Sequence, residues 1–239
     1  MEPLGVEPEQ VLERAALRNV SEIIIPSYDH STWTQVKALS HLNGVHAAYG
    51  IHPWVSDESL DEPLLFELLK TAVAVGEIGL DFKIPDYDKA TQLAMCDHQL
   101  NIARELALPV ILHCRGAFNE LLELVTAAPL PAGGVVHAYS RGPELAEQLI
   151  EAGLHIAFGG AITRPGAKRA LRSAKTVPID KIVLETDSPA IGLHNVPTGE
   201  SEPHHTADVA LALSELLNMD LNEVTRITTE NAKRLFNLS

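Results

Sequence analysis

A chain of 239 residues with 46% hydrophobic residues is long enough for one barrel or one doubly wound domain with a sizeable core. Its 18 Lys+Arg against 32 Asp+Glu leave a formal charge of −14, which argues against a broad surface for wrapping duplex nucleic acid. It does not exclude a nuclease, since a metal and a few local arginines can hold one phosphate on an otherwise acidic surface.

No run approaches the roughly 20 apolar residues of a membrane span. The start, Met1-Glu2-Pro3-Leu4-Gly5-Val6, lacks the basic and apolar pattern of a signal peptide. Two cysteines, Cys96 and Cys114, form neither a disulfide framework nor a CxxC metal pair. The expected setting is a reducing cytoplasm, with no membrane and no obligate protein partner.

Along the chain the periodicity predicts a helix from Glu7 to Arg18, a strand at Glu22–Pro26, a helix at Ser31–Leu42 and a strand at Val45–Ile51 halted by His52-Pro53. A helix over Glu62–Thr71 leads to a strand ending at Glu77. Lys89–Leu106 reads as a long helix, Pro109 opens a strand to His113, and Ala117–Ala127 is helical. A strand to His137, a helix at Pro143–Ala152, a strand at Leu154–Gly159 and a helix at Ala167–Ser173 follow. The last strand is predicted to end at Asp187, before a long Gly- and Pro-rich loop, Ser188–Pro203. Two helices, His205–Asn218 and Leu221–Phe236, close the chain, and Asp220 and Glu223 have capping-box spacing. No linker or repeat divides it, so residues 1–239 are expected to form one domain.

Four apolar runs end in potential metal ligands: Val73-Ala74-Val75-Gly76-Glu77, Val110-Ile111-Leu112-His113, Gly134-Val135-Val136-His137 and Ile182-Val183-Leu184-Glu185-Thr186-Asp187. Strands alternating with helices imply a parallel sheet, and in a closed parallel barrel such strand ends meet at one mouth. Any one of these side chains is more often a satisfied polar group than a ligand. Four at successive strand ends argue for a metal-dependent hydrolase. Alternation along a strand sets Glu77 on the face of Val75 and Gly79, and Arg115 on the face of His113. Glu77 can bridge two metals through its two oxygens, His113 and His137 can supply neutral nitrogens, and Asp187 can bind metal or take a proton from water.

The segments Gly76-Glu77-Ile78-Gly79-Leu80-Asp81-Phe82, Leu112-His113-Cys114-Arg115, His137-Ala138-Tyr139-Ser140 and Glu185-Thr186-Asp187-Ser188-Pro189 resemble the TatD family of metal-dependent deoxyribonucleases. Gly50-Ile51-His52-Pro53 and Thr229-Glu230-Asn231-Ala232-Lys233-Arg234-Leu235-Phe236 agree with it. The resemblance implies an α/β fold, a TIM-type (β/α) barrel of the metallo-dependent hydrolase kind, with one or two divalent ions. Mg, Mn and Zn all suit the donors. It implies Glu77, His113, His137 and Asp187 as metal ligands.

Such proteins begin with a strand ending in His-x-His and an Asp. Here the chain opens on a predicted helix, about seven strands are counted, and His30 does not replace the motif by position. The expectation is a barrel missing its first strand, with two open edges and a weakened metal site. Met1 is then either an internal methionine taken as a start or the start of a natural shortened variant.

Around the mouth, His52, Arg115, Arg141 and Arg164 are candidates for substrate binding, the arginines through forked donors to phosphate. Asp81 either orients a ligand or caps a loop. His204-His205, as adjacent residues expected to diverge, reads as a solvated helix start, Cys114 as a small buried group, and Lys168, Arg169 and Arg172 as a solvated helix face. The leading function is cleavage of phosphodiester bonds, most of all DNA, at a single strand or an end. The alternatives are hydrolysis of a small non-nucleic substrate, or a catalytically silent binding protein.

Overall fold

Two glutamines on one helix, Gln92 and Gln99, hold the ends of two neighbouring strands. Gln99 accepts from the Ile51 amide at 2.7 Å and donates to the Ile51 carbonyl at 3.1 Å. Gln92 does the same for Asp81, at 2.8 and 3.0 Å. Both are buried, so each amide replaces the solvent those strand-end groups would otherwise need. The spacing of seven puts them on one face of the helix.

The computed structural model describes residues 7–238. The reading made on the leader-free start at Met1 lies outside them. Backbone packing separates two compact units. One comprises Ile24–His137, Glu151–Leu154 and Leu235–Ser239; the other comprises Met1–Ile23, Ala138–Ile150 and His155–Arg234.

The first unit carries β1 (Ile23–Pro26), α2 (His30–Leu39), β2 (Val45–Tyr49), α3 (Glu62–Leu69), β3 (Ala74–Asp81), α4 (Lys89–Leu106), β4 (Val110–Arg115), α5 (Phe118–Ala127) and β5 (Gly134–Val136). Its strands lie in sequence order, with parallel pairing of β2 to β3, β3 to β4 and β4 to β5. The strands are near-continuous apolar runs because both faces are covered, as in helix-flanked parallel sheets. Asp29 opens α2 through a capping box with Thr32, accepting its amide at 2.9 Å. Asp88 caps α4 by accepting the Thr91 amide at 2.6 Å.

The pairing of β3 departs from simple alternation. Val75 faces Val110 but Ile78 faces Leu112, so the register shifts between them. Gly76 and Glu77 sit in that bulge, and the peptide joining them is cis. The expected shared face for Val75, Glu77 and Gly79 therefore does not hold through Glu77. The strand also continues past Glu77 to Asp81. Beyond the bulge, Gly79 has φ +137°, and a Cβ there would lie 2.0 Å from the His113 carbonyl oxygen. Only glycine lets β3 and β4 approach so closely at that point.

The second unit carries α1 (Pro8–Leu17), most of α6 (Pro143–Glu151), β6 (Leu154–Phe158), α7 (Lys168–Thr176), β7 (Ile182–Leu184), α8 (Thr206–Leu217) and α9 (Leu221–Phe236). β6 pairs with β7 in parallel. Asn231 of α9 donates to the carbonyls of Ile179 and Ile182 at 2.7 and 2.8 Å, fixing the entry to β7. Arg14 of α1 makes a two-pronged bond to Glu202 at 2.7 and 2.9 Å. Asp220 caps α9, accepting the amides of Asn222 and Glu223 at 2.9 and 3.2 Å. β7 ends at Leu184, three residues short of the predicted Asp187. Among the described residues no helix is long and apolar enough to cross a membrane.

Candidate metal centre

In the first unit one carboxylate oxygen gathers three imidazoles. Glu77 Oε1 lies 2.8 Å from His137 Nε2, 3.1 Å from His113 Nδ1 and 3.1 Å from His52 Nε2. His113 Nδ1 and His137 Nε2 are 3.2 Å apart. Glu77 comes from the bulge of β3, His113 from within β4, and His137 directly follows β5. Parallel neighbours bring these positions side by side. His52 precedes a short 3₁₀ turn, Pro53–Val55, and is buried.

Second hydrogen bonds assign the imidazole tautomers. His113 Nε2 lies 3.1 Å from Asp81 Oδ2. Asp81 and Glu77 both only accept, so the protonated ring donates to each; when a cation takes the place of the Nδ1 proton, the Asp81 bond keeps Nε2–H and leaves Nδ1 as the ligand atom. His52 is the reverse case. Its Nδ1 accepts from the Trp54 amide at 3.2 Å, which leaves the proton on Nε2, facing Glu77. So His113 is placed to ligate through Nδ1 once that nitrogen is deprotonated, and His52 is placed to donate.

Asp81 is fully buried yet meets four donors. Besides His113 it accepts from Trp54 Nε1 at 2.7 Å, from the Lys83 amide at 2.9 Å, and from Arg115 Nε at 2.8 and 2.9 Å. It therefore both orients His113 and caps the turn after β3. Burial would raise the Asp81 carboxyl, but hydrogen bonds from His113, Arg115 and Trp54 outweigh it and hold it far below the usual range.

Burial would also raise Glu77. The charge of a protonated His137 and hydrogen bonds from His113, His137 and His52 more than offset that, so Glu77 stays ionised well below its ordinary value. His52 is pushed down by burial, which its bond to Glu77 only partly counters. His113 feels a similar burial penalty, yet two carboxylates, Asp81 and Glu77, leave its imidazole raised.

The donor set fits a divalent ion. The grouped nitrogen and oxygen atoms of His52, Glu77 and His113 all lie within 4.8 Å of one another, His52 in the tautomer above donating to the cluster and not ligating. A tetrahedral ion with bonds of about 2.1 Å needs its ligand atoms roughly 3.4 Å apart. The contacts among Glu77, His113 and His137, from 2.8 to 3.2 Å, are slightly tighter, as expected where hydrogen bonds draw the groups in.

The second unit holds the remaining sequence candidates. Ser140, Gly160, Arg164, Glu185 and Asp187 line a cavity of about 190 Å³. Glu185 Oε1 accepts the Ala138 amide at 2.5 Å. Asp187 has φ +54°, a left-handed conformation that ends the extended run, and a cis Ser188–Pro189 peptide follows it. Arg164 donates to the Gly192 carbonyl at 2.5 Å. The Arg141 carbonyl accepts from Ser173 Oγ at 2.6 Å.

His204 and His205 do not diverge. Their rings lie 3.9 Å apart in a short 3₁₀ turn, and both are half-buried. Glu202 binds His204 Nδ1 through its side chain and donates its amide to His205 Nδ1. Cys114 is half-buried where a buried residue was expected. Trp54 is a neighbour of the candidate centre that sequence reasoning passed over; its place after His52-Pro53 was the available signal.

The family model described as TatD related DNase matches residues 2–237. The chain belongs to the TatD family. Over 244 residues it is 31% identical to the uncharacterized metal-dependent hydrolase YabD of Bacillus subtilis, covering 100% of this chain and 96% of that one. It is 28% identical to the putative deoxyribonuclease TATDN3 of Mus musculus, covering 95% and 82%. Among solved structures, the TatD homolog YjjV from Escherichia coli K12 superposes with a TM-score of 0.90 at 32% identity, covering 97% of this chain and 92% of that one. This TatD-family protein thus has the TIM-type α/β fold of metallo-dependent hydrolases and is a metal-dependent hydrolase by family.

Proposed function

We infer that the protein is a metal-dependent phosphodiesterase of the TatD type that cleaves DNA. The observation that carries the reading is the convergence of His52, His113 and His137 on Glu77 Oε1, with His113 held by Asp81. The family match over residues 2–237 supports treating 1–239 as one hydrolase domain. The name of the TATDN3 relative supports DNA as substrate.

Glu77, His113 and His137 would hold one ion, and Asp187 is proposed as a further ligand from its family motif alone. When bound, a divalent ion such as Mg, Mn or Zn supplies Lewis acidity toward a phosphoryl oxygen and makes water more acidic. The chain supplies the rest. Asp187 takes the proton from the attacking water. His52, protonated at Nε2 and kept neutral by burial, donates a hydrogen bond to a substrate oxygen. Arg115, Arg141 and Arg164 neutralise phosphate, Arg115 with its forked end free of protein partners among the described residues. The net charge of −14 favours a short footprint at a single strand or an end over a long duplex track. Lack of any disulfide fits a reducing cytoplasm.

The test is a substrate panel on one metal-loaded sample: labelled single-stranded DNA, duplex DNA, a small aryl phosphodiester and an amide. DNA cleavage abolished by chelation supports the reading. Turnover of the amide or the small diester without DNA cleavage replaces DNA with a small substrate. No turnover of any of the four leaves a binding protein.

A further inference from the structure

Charge in the second unit is segregated. In a chain with 32 Asp+Glu, none occurs from residue 152 to residue 179, while Arg164, Lys168, Arg169, Arg172 and Lys175 all fall there, the last four on α7. At about 100° per residue, Lys168, Arg172 and Lys175 share one side of that helix and Arg169 flanks it. All four are exposed, and Ala170, Ser173 and Ala174 are buried on the opposite side.

None of the four pairs with a carboxylate among the described residues. Cations elsewhere do: Arg14 with Glu202, Arg18 with Asp208, Lys70 with Glu67, Lys89 with Glu120 and Arg226 with Glu230. An ordinary solvated helix face on so acidic a chain carries both signs, as α9 does with Arg226 and Glu230. The α7 face carries one. It also exposes no large apolar side chain, so it suits neither an apolar partner nor insertion into a lipid surface.

The stripe runs on to the cavity that holds Asp187. Arg164, in the segment leading into α7, lines that cavity, and so does Ser140. Arg141 follows Ser140, and its carbonyl accepts from Ser173 of α7 at 2.6 Å. Arg172 Nη2 lies 3.8 Å from where a Cβ on Gly142 would be; Glu144 also lies against Gly142. At about 1.5 Å per residue, Lys168 to Lys175 covers roughly 10 Å, the axial length of about three phosphates on one strand.

We propose that the exposed face of α7 is a phosphate rail. Lys168, Arg172 and Lys175, flanked by Arg169, hold the DNA backbone beyond the nucleotide being cleaved, where the strand leaves the Asp187 cavity. The rail deepens the DNA reading given above and rests on it. Its contacts are to phosphates, so it is blind to base sequence.

The test uses the full chain stripped of metal, so that binding is read without cleavage. A labelled twelve-nucleotide DNA strand, a dinucleotide and phosphatidylserine vesicles are titrated between about 50 and 200 mM salt. The triple variant Lys168→Ala/Arg172→Ala/Lys175→Ala should bind the long strand about tenfold more weakly, with the slope of log Kd against log salt reduced by about 2, or roughly 0.7 per lost contact. Its dinucleotide affinity should stay at the parent value. A control, Lys37→Ala/Lys70→Ala/Lys89→Ala, removes as much charge from α2, α3 and α4 and should keep the parent slope. If the α7 triple variant melts without cooperativity, the single variants Arg172→Ala and Lys175→Ala replace it, each expected to lower the slope by about 0.7. An unchanged slope in the α7 variants, or equal weakening by the control, overturns the rail. So does α7-dependent binding to vesicles without α7-dependent binding to the strand, which makes the face a lipid contact. The two readings fail separately: metal-dependent DNA cleavage with no α7-dependent binding removes only the rail, while absence of cleavage on the substrate panel removes the function beneath it.

Discussion

Replacing Asp81 with Asn keeps its shape and removes its charge, and the structure predicts a loss of metal affinity that shape alone does not explain. Four donors face the Asp81 carboxylate: His113 Nε2, Trp54 Nε1, Arg115 Nε and the Lys83 amide. An amide offers one accepting oxygen, and its NH2 must then face at least one of those donors. If that donor is His113, the neutral ring keeps its proton on Nδ1, where Glu77 also accepts it, and has no lone pair there for a metal. Partners of this kind are worth about 10- to 100-fold in metal affinity, or roughly 1.4–2.8 kcal/mol. A stranded indole N–H adds a stability cost near the lower end of about 1–3 kcal/mol, since Trp54 is 48% exposed and water can reach it. Calorimetric titration of the stripped protein with Zn or Mn gives the first quantity and urea unfolding the second. Nitrogen-15 spectra of His113 report the tautomer directly. An Asp81→Asn protein that binds metal at the parent Kd, with His113 still protonated at Nε2, would refute the reasoning.

Glu77→Ala should strip the centre of metal and reduce turnover to background, measured by metal content and rate; parent values for both would remove Glu77 from the ligand set. Asp187→Asn should keep the melting temperature, because Asn also tolerates the left-handed φ of +54° at that position, while lowering the rate about 10²- to 10⁴-fold. An unchanged pH–rate profile would exclude Asp187 as the base. Gly79→Ala should destabilise the fold by at least about 3 kcal/mol in urea unfolding, because its methyl meets the His113 carbonyl at 2.0 Å; parent stability would show that β3 and β4 can part there. Glu202 is held below its ordinary value, chiefly by its hydrogen bond from Arg14. Its stabilising share is present above the unfolded value of about 4.3 and is lost as pH falls through the lower folded value. Glu202→Gln should therefore flatten the acid limb of the melting curve against pH, and identical slopes would contradict the assignment.

The elements readable in the sequence were those with long, regular periods. Lys89–Leu106 and Leu221–Phe236 have the bounds the periodicity predicts because their apolar faces repeat over several turns. The grouping of Glu77, His113 and His137 was legible because each follows or ends an apolar run, and parallel neighbours align such positions. The bulge was not legible: Val75 to Gly79 reads as plain alternation, and only the pairing with Val110 and Leu112 reveals the extra residue. His52, a substrate-binding candidate from its sequence, is both buried and bound to Glu77 in the structure. Trp54 carried no periodic signal, since a three-residue turn has no face to read. The four donors around Asp81 come from positions 54, 83, 113 and 115, and sequence spacing gives no account of such a convergence.

The most direct measurement is a single-turnover time course on a 5′-labelled single-stranded oligodeoxynucleotide. Protein dialysed against chelator is assayed alone and after adding back Mg, Mn or Zn, with Glu77→Ala run in parallel. Cleavage should be absent without metal, return with at least one of the three ions, and stay absent in Glu77→Ala. Equal cleavage with and without metal, or full restoration by metal in Glu77→Ala, would contradict a phosphodiesterase centred on Glu77.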